Sequence, residues 1–232
     1  MSATRLPGKP LLKINGLSII SHVFKRAEKA NIGEVIVATE DQEIIDDVKK
    51  NGGNAILTSN NHKTGTDRIY EALSLLNLGN IDLIMNIQGD EPQIDIKDVI
   101  NLNNKMKESR SKIGTLAAKI SKIEMLQNEN VVKVKIHKSF EKESFPTAET
   151  FTRKTNDKEN IFHHIGIYSY EIETLKKFVS LKQSHNEIKN KLEQLRALDN
   201  DIKINVALAN SSPIGIDTEQ DFLALKKIME YK

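Results

Sequence analysis

The chain contains no cysteine. Disulfides, thiolate metal sites and cysteine nucleophiles are therefore all excluded. It also lacks an excess of charge of one sign: 34 Lys and Arg stand against 32 Asp and Glu, intermixed, for a net charge of +2. A nucleic-acid binder gathers basic residues on one face, so nucleic acid is not an expected partner. No apolar run approaches the roughly 18 residues that a membrane span needs, and no signal-peptide pattern is read at the start. A membrane is not expected as a partner, and a cytoplasmic enzyme or binding protein is. Also absent are a Walker loop, a Gly-x-Gly-x-x-Gly fingerprint and a Gly-x-Ser-x-Gly elbow. No internal repeat, low-complexity tract or linker interrupts the sequence.

What is present suffices for a full core: 232 residues, 38% of them hydrophobic. Apolar runs alternate with helical spacing. Ser18 to Lys29 has Ile19, Ile20, Val23, Phe24 and Ala27 on one side of a helix. "EVIVAT" (34–39) reads as a buried strand, followed by a helix that ends at Gly52-Gly53 and a second strand, "AILTS" (55–59). Helical spacing resumes at Arg68, and "DLIMNIQGDEP" (82–92) is a strand running into an acidic turn before a helix from Ile96 to Met106. Further strands are expected at 113–120, 131–138, 163–170 and 201–208, with helices over 187–198 and from Glu219. Residues 138–160 read as a long exposed loop. This order predicts an α/β fold, with a mainly parallel, Rossmann-like sheet flanked by helices. It forms one domain over 1–232, with an inserted strand-rich lobe at about 113–208.

In open parallel sheets, ligands sit beyond the carboxyl ends of the strands, and three segments fall there. "RLPGKPL" places Arg5 and Lys9 around a Pro7-Gly8 turn. It reads either as a phosphate-gripping loop or as a turn with surface cations. "KTGTD" (63–67) could hold a nucleotide, or Thr66 or Asp67 could simply cap the next helix. "NIQGDEP" (86–92) brings Asn86, Gln88, Asp90 and Glu91 to a strand end, suited to Mg²⁺ or to solvent. Asp217 in "GIDT" is a second carboxylate or a helix cap. His163 and His164 are adjacent on a strand and face opposite ways, so they cannot easily share a metal. Glu193-Gln194, on a helix, would face solvent by default.

The order "TRLPGKPL", "TGTDR", "NIQGDEP", "HHIGIYSY", "LEQLRAL", "GIDT" resembles the 3-deoxy-manno-octulosonate cytidylyltransferases, over roughly Thr4 to Leu225. The resemblance implies a nucleotidyltransferase in which the anomeric hydroxyl of the acidic sugar Kdo attacks the α-phosphorus of CTP. Pyrophosphate leaves, and CMP-Kdo goes on to lipopolysaccharide synthesis. It implies that Arg5 and Lys9 hold the triphosphate. Thr64, Gly65, Thr66 and Arg68 would line the cytidine and phosphate region, with Gln88 near the ribose and sugar. Asp90 and Asp217 would ligate Mg²⁺, while His164, Tyr168, Glu193 and Gln194 would contact the sugar acid. A homodimer, paired through the strand-rich lobe, is implied as well.

Two departures stand out. The family opens on an apolar strand leading into Pro-Ala-Arg, which this chain lacks, so the first strand of the sheet is expected to be missing and the true start to lie upstream. The family's Phe-Ser-Arg element has only "FTR" (151–153) as a counterpart, so Arg153 is a weak match. The competing expectations are a cytidylyltransferase for another acidic sugar, such as sialic acid, and a non-catalytic nucleotide- or sugar-binding protein.

Overall fold

A computed structural model describes residues 6–76, 81–212, 215–216 and 218–230. In chain order the elements begin with β1 (Lys13–Ile14), β2 (Leu17–Ser18), α1 (Ile19–Lys29), β3 (Ile36–Thr39), α2 (Gln42–Lys50), β4 (Asn54–Leu57) and α3 (Gly65–Leu76). They continue with β5 (Leu83–Asn86), α4 (Ile96–Ser109), β6 (Ile113–Ala118), β7 (Lys133–Ile136), β8 (Ala148–Thr152) and β9 (Ile161–Glu171). The last are α5 (Ile172–Ser180), α6 (His185–Asn190), α7 (Leu195–Leu198), β10 (Ile204–Leu208) and α8 (Glu219–Glu230). The chain divides into two units, one of Met1–Leu78, Ile87–Val99 and Pro213–Lys232, the other of Gly79–Asn86 and Ile100–Ser212. The expected strand-rich lobe falls inside the second.

In the first unit, β1 and β2 form a hairpin around Asn15-Gly16, at φ 51° and 77°. Positive φ at both central residues is what a two-residue hairpin turn demands. Ser18 then caps α1, its hydroxyl accepting from the Ser21 amide at 3.2 Å. The apolar side of α1 is divided between two clusters. Ile19 packs with Ile14, Ile216 and Leu225, while Ile20 and Phe24 pack with Ile44 and Val48 of α2. β3 and β4 pair in parallel, from Ile36 opposite Asn54 to Thr39 opposite Leu57. The return from α2 to β4 needs two glycines: Gly52 sits at φ 84°, and a side chain on Gly53 would come within 2.7 Å of the Phe24 ring.

The second unit holds a six-stranded sheet of mixed direction. β10 runs parallel to β6, and the long β9 runs antiparallel to β5, β6 and β7. All six residues of β6 are buried, and Gly114 is required there. An added Cβ would meet the Met106 sulfur of α4 at 2.5 Å. Leu102, Leu116, Ile167 and Leu175 are among the most deeply buried apolar side chains of this unit.

Two expectations need correction. Residues 138–160 are not one exposed loop, because β8 lies within them, with Ala148 and Phe151 buried. The two inward residues are three apart, and the β7–β8 register shifts between Lys135 and Ile136. That irregularity hides the strand from a period-two reading. The helix expected over 187–198 is two short ones, because Lys191 adopts φ 52°, ψ 48° and ends α6. Among the described residues no helix is long and apolar enough to cross a membrane.

Candidate active site

In the first unit the opening segment forms a tight turn. The Lys9 amide donates to the Leu6 carbonyl at 3.2 Å, and Gly8 takes φ 69°, ψ 11°. That is the third-residue conformation of a type II turn, with Pro7 before it. The turn aims the Lys9 ammonium at the Asp90 carboxylate, 2.7 Å away, and at the Ile216 carbonyl. The Ile216 amide in turn donates to the Asp90 backbone oxygen at 3.2 Å. Three stretches far apart in sequence thus meet at one carboxylate. Arg5 and Asp217 lie outside the described residues.

Asp90 follows Gly89, where a Cβ would approach the Ile20 side chain at 3.0 Å, a tight contact. Its neighbour Glu91 has a buried carboxylate oxygen without a hydrogen-bond partner. Burial, helped by the charge of Asp90, pushes the Glu91 pKa up to about 8. Gln88 is exposed. Among the described residues no group of three or more His, Asp or Glu gathers as a metal cage. A single carboxylate at the end of a strand is a ligand of the kind that Mg²⁺ accepts, one or two of them leaving room for phosphate oxygens.

The "KTGTD" segment caps a helix, but through Thr64 rather than Thr66 or Asp67. The Thr64 hydroxyl accepts from the Asp67 amide at 3.2 Å, Gly65 opens α3, and Thr66 is buried. Arg68 turns back onto the preceding loop, donating to the Thr58 hydroxyl at 2.7 Å, to the Ser59 carbonyl at 3.3 Å, and to the Glu40 carboxylate. Hydrogen bonds and the Arg68 charge hold the Glu40 pKa below its usual range. One turn further along α3, Glu71 accepts from the Ser59 amide at 2.8 Å and from His62. Glu40, His62 and Glu71 were not singled out by sequence reading. The available signal was that 68 and 71 share a helical face three residues apart.

The second unit holds the other predicted residues. His164 on β9 is buried, its Nε2 lying 3.0 Å from the Thr115 hydroxyl of β6. Thr115 donates its only proton to the Ile167 carbonyl at 2.7 Å. Burial, with a smaller repulsion from His163, pushes the His164 pKa down to about 3. His163 faces elsewhere, with Nδ1 2.6 Å from the Ser212 hydroxyl. Tyr168 packs between the rings of His164 and Tyr170. Its hydroxyl is buried without a hydrogen-bond partner, and desolvation raises its pKa well above the ordinary value.

Glu193 and Gln194 are not on a solvent-facing helical surface. They lie in the short link between α6 and α7, both partly buried, with Glu193 4.0 Å from Arg196. Arg196 forms a bidentate pair with Glu187, at 2.8 and 2.6 Å, with both side chains almost fully buried.

The cytidylyltransferase family model matches residues 1–204. A protein of Thermodesulfovibrio yellowstonii named 3-deoxy-manno-octulosonate cytidylyltransferase is 41% identical, covering 98% of this chain and 94% of its own length. One of the same name from Afipia carboxidovorans is 42% identical, covering 99% and 93%. The solved structure of a CMP:2-keto-3-deoxy-manno-octonic acid synthetase complexed with CTP superposes with a TM-score of 0.88 at 33% identity, covering 98% of this chain and 94% of that one. The fold is shared more widely, for instance with an apo UDP-glucose pyrophosphorylase at TM-score 0.73 and 12% identity. With such identity along nearly its whole length, the chain belongs to the cytidylyltransferase family, in the group of 3-deoxy-manno-octulosonate cytidylyltransferases.

Proposed function

We propose that this protein transfers the cytidylyl group of CTP to 3-deoxy-manno-octulosonate, giving CMP-Kdo and pyrophosphate. The observation that carries the reading is the convergence of Lys9, Asp90 and the 215–216 segment at one carboxylate, in a chain of this family. No protein nucleophile is needed. The anomeric oxygen of the sugar forms a bond to the α-phosphorus, the bond from that phosphorus to the bridging oxygen breaks, and the hydroxyl proton passes to solvent. Catalysis is then alignment and charge neutralisation.

The roles follow from that chemistry. Lys9, with Arg5, steadies the triphosphate, and Thr64, Gly65, Thr66 and Arg68 line the nucleotide, with Gln88 toward the ribose. Asp90 and Asp217 would hold Mg²⁺, which when bound supplies positive charge at the phosphate oxygens. In the second unit, neutral His164, the unpartnered Tyr168 hydroxyl, Glu193 and Gln194 offer hydrogen bonds to the hydroxyl-rich sugar acid. The names of the relatives favour Kdo over sialic acid. We also propose a cytoplasmic homodimer that supplies lipopolysaccharide synthesis.

Pyrophosphate release with CTP, ATP, GTP and UTP against Kdo and sialic acid tests the reading. The expected result is turnover with CTP and Kdo alone. A buried polar site rejects analogues that leave its groups unpaired, often by orders of magnitude. Release with no sugar acid, or equal use of ATP, would refute it.

A further inference from the structure

We infer that Arg153 is a positioning residue that fixes the turn carrying Glu193 and Gln194, and that it does so without touching the sugar. The inference rests on the reading that those two side chains contact the acidic sugar. Arg153 leaves β8 and spreads its guanidinium over backbone carbonyls of two separate segments. Its Nε donates to Asn190 at 3.0 Å and Nη2 to Lys191 at 2.9 Å, while Nη1 donates to Glu129 at 3.0 Å. A planar guanidinium with three N–H groups directed this way has its orientation set by the protein.

The two carbonyls at 190 and 191 end α6, where Lys191 turns into the left-handed region. Carbonyls at a helix end have no partner within the helix, and a cation there satisfies them and suits the helix dipole. Arg153 thereby holds the amino-terminal side of the 190–195 turn. Its other side is held by the buried pair of Arg196 with Glu187, Arg196 also stacking on the Phe178 ring at 4.7 Å. Glu193 and Gln194 emerge between the two ties.

Arg153 is itself anchored. Its carbonyl accepts from the ammonium of Lys133, a fully buried lysine that also donates to Asn128 at 2.9 Å and Val131 at 2.7 Å. Around it the Thr155 amide donates to the Leu126 carbonyl at 3.1 Å, and Gln127 reaches the Thr155 carbonyl at 2.9 Å. The arm from 126 to 131 and the end of β8 therefore form a braced base, from which one side chain reaches the turn.

The test compares Arg153→Met with the parent for KM of each substrate, kcat, and amide hydrogen exchange of residues 190–195 in the ligand-free protein. A small misplacement of contact groups raises KM for the sugar acid by roughly tenfold or more. KM for CTP should stay within about twofold, since only the sugar contacts depend on this turn. Exchange at 190–195 should speed up. Arg153→Lys, which keeps the charge but reaches fewer carbonyls, should show the same shifts at smaller size, and it serves if the Met variant does not fold. A rise in the sugar KM with unchanged exchange would mean direct contact and overturn the inference. A lowered Tm with both KM values unmoved would overturn it as well. Glu193→Gln run in parallel separates the two levels: if it leaves the sugar KM unchanged, the reading of the turn falls, and the inference with it.

Discussion

The two groups of site residues are built on opposite electrostatic principles. In the first unit, Lys9 pairs with Asp90 and Arg68 with Glu40 as ions across loops and turns, and His62 hydrogen-bonds to Glu71, with side chains between about a tenth and a third exposed. In the second, His164 and Tyr168 are buried on a strand, and burial keeps both neutral. A triphosphate carries several charges and needs ionic partners that can exchange from one another to the ligand. A sugar presents hydroxyls, for which neutral donors and acceptors in a dry pocket discriminate better. The charge state of each group is set by where the fold puts it, not by residue type.

The largest effect that would sharpen this contrast is in the second unit. Among the described residues of that unit Glu187 is the one buried carboxylate, and the hydrogen bonds of Arg196, Gln183 and Ser184 outweigh the desolvation that would raise its pKa. Glu187→Gln leaves Arg196 buried with a weakened partner, and breaking such a pair costs about 3–5 kcal/mol. Urea unfolding should record that loss, whereas Glu40→Gln in the Arg68 pair, whose side chains are about a fifth exposed, should cost less. Equal losses would break the comparison.

Next comes Asp90→Asn. It removes one charge from the carboxylate that Lys9 faces, and loss of a transition-state electrostatic partner lowers kcat by about 10²–10³-fold. Differential scanning calorimetry should place its Tm close to the parent, because Asn can still accept from Lys9 and the carboxylate is about a third open to solvent. Near-normal turnover at saturating Mg²⁺ would remove Asp90 from the mechanism.

The smallest effect concerns pH. His164 has a folded pKa of about 3 against an ordinary 6.5. Its unfolded form therefore takes up a proton that the native form refuses. The stabilisation is complete above pH 6.5 and is lost as pH falls towards 3. By pH 5, some 1.5 units below 6.5, the loss is about 2 kcal/mol at 1.36 kcal/mol per unit. His163, shifted the same way, adds to it. Stability measured from pH 7 to 5 should fall less steeply in His164→Gln than in the parent. Parallel curves would show that His164 is not held neutral.

Much of the architecture was legible because local rules governed it. The apolar spacing of Ile19, Ile20, Val23, Phe24 and Ala27 marked α1, and the glycines at 52 and 53 marked the end of α2. The motifs of the site were legible too, as stretches of chain. β8 was not, because its inward residues are spaced by a bulge that depends on β7. The break at Lys191 was not, because a lysine in the left-handed region carries no signal of its own and is supported there by carbonyl ties to Arg153.

What the sequence determined by itself is the list of chemical parts and the order in which the chain presents them. Its missing cysteines, its balanced charge, its alternation of strands and helices, and the residues of each motif all follow from reading along it. The tertiary structure alone decided which parts work together: Lys9 with Asp90, 81 residues apart, Thr115 with His164, 49 apart, and Arg153 with Lys191, 38 apart. The reason is physical. A pKa, a tautomer or a fixed turn depends on the dielectric and the partners within a few ångströms, and those come from contacts that spacing along the chain does not encode.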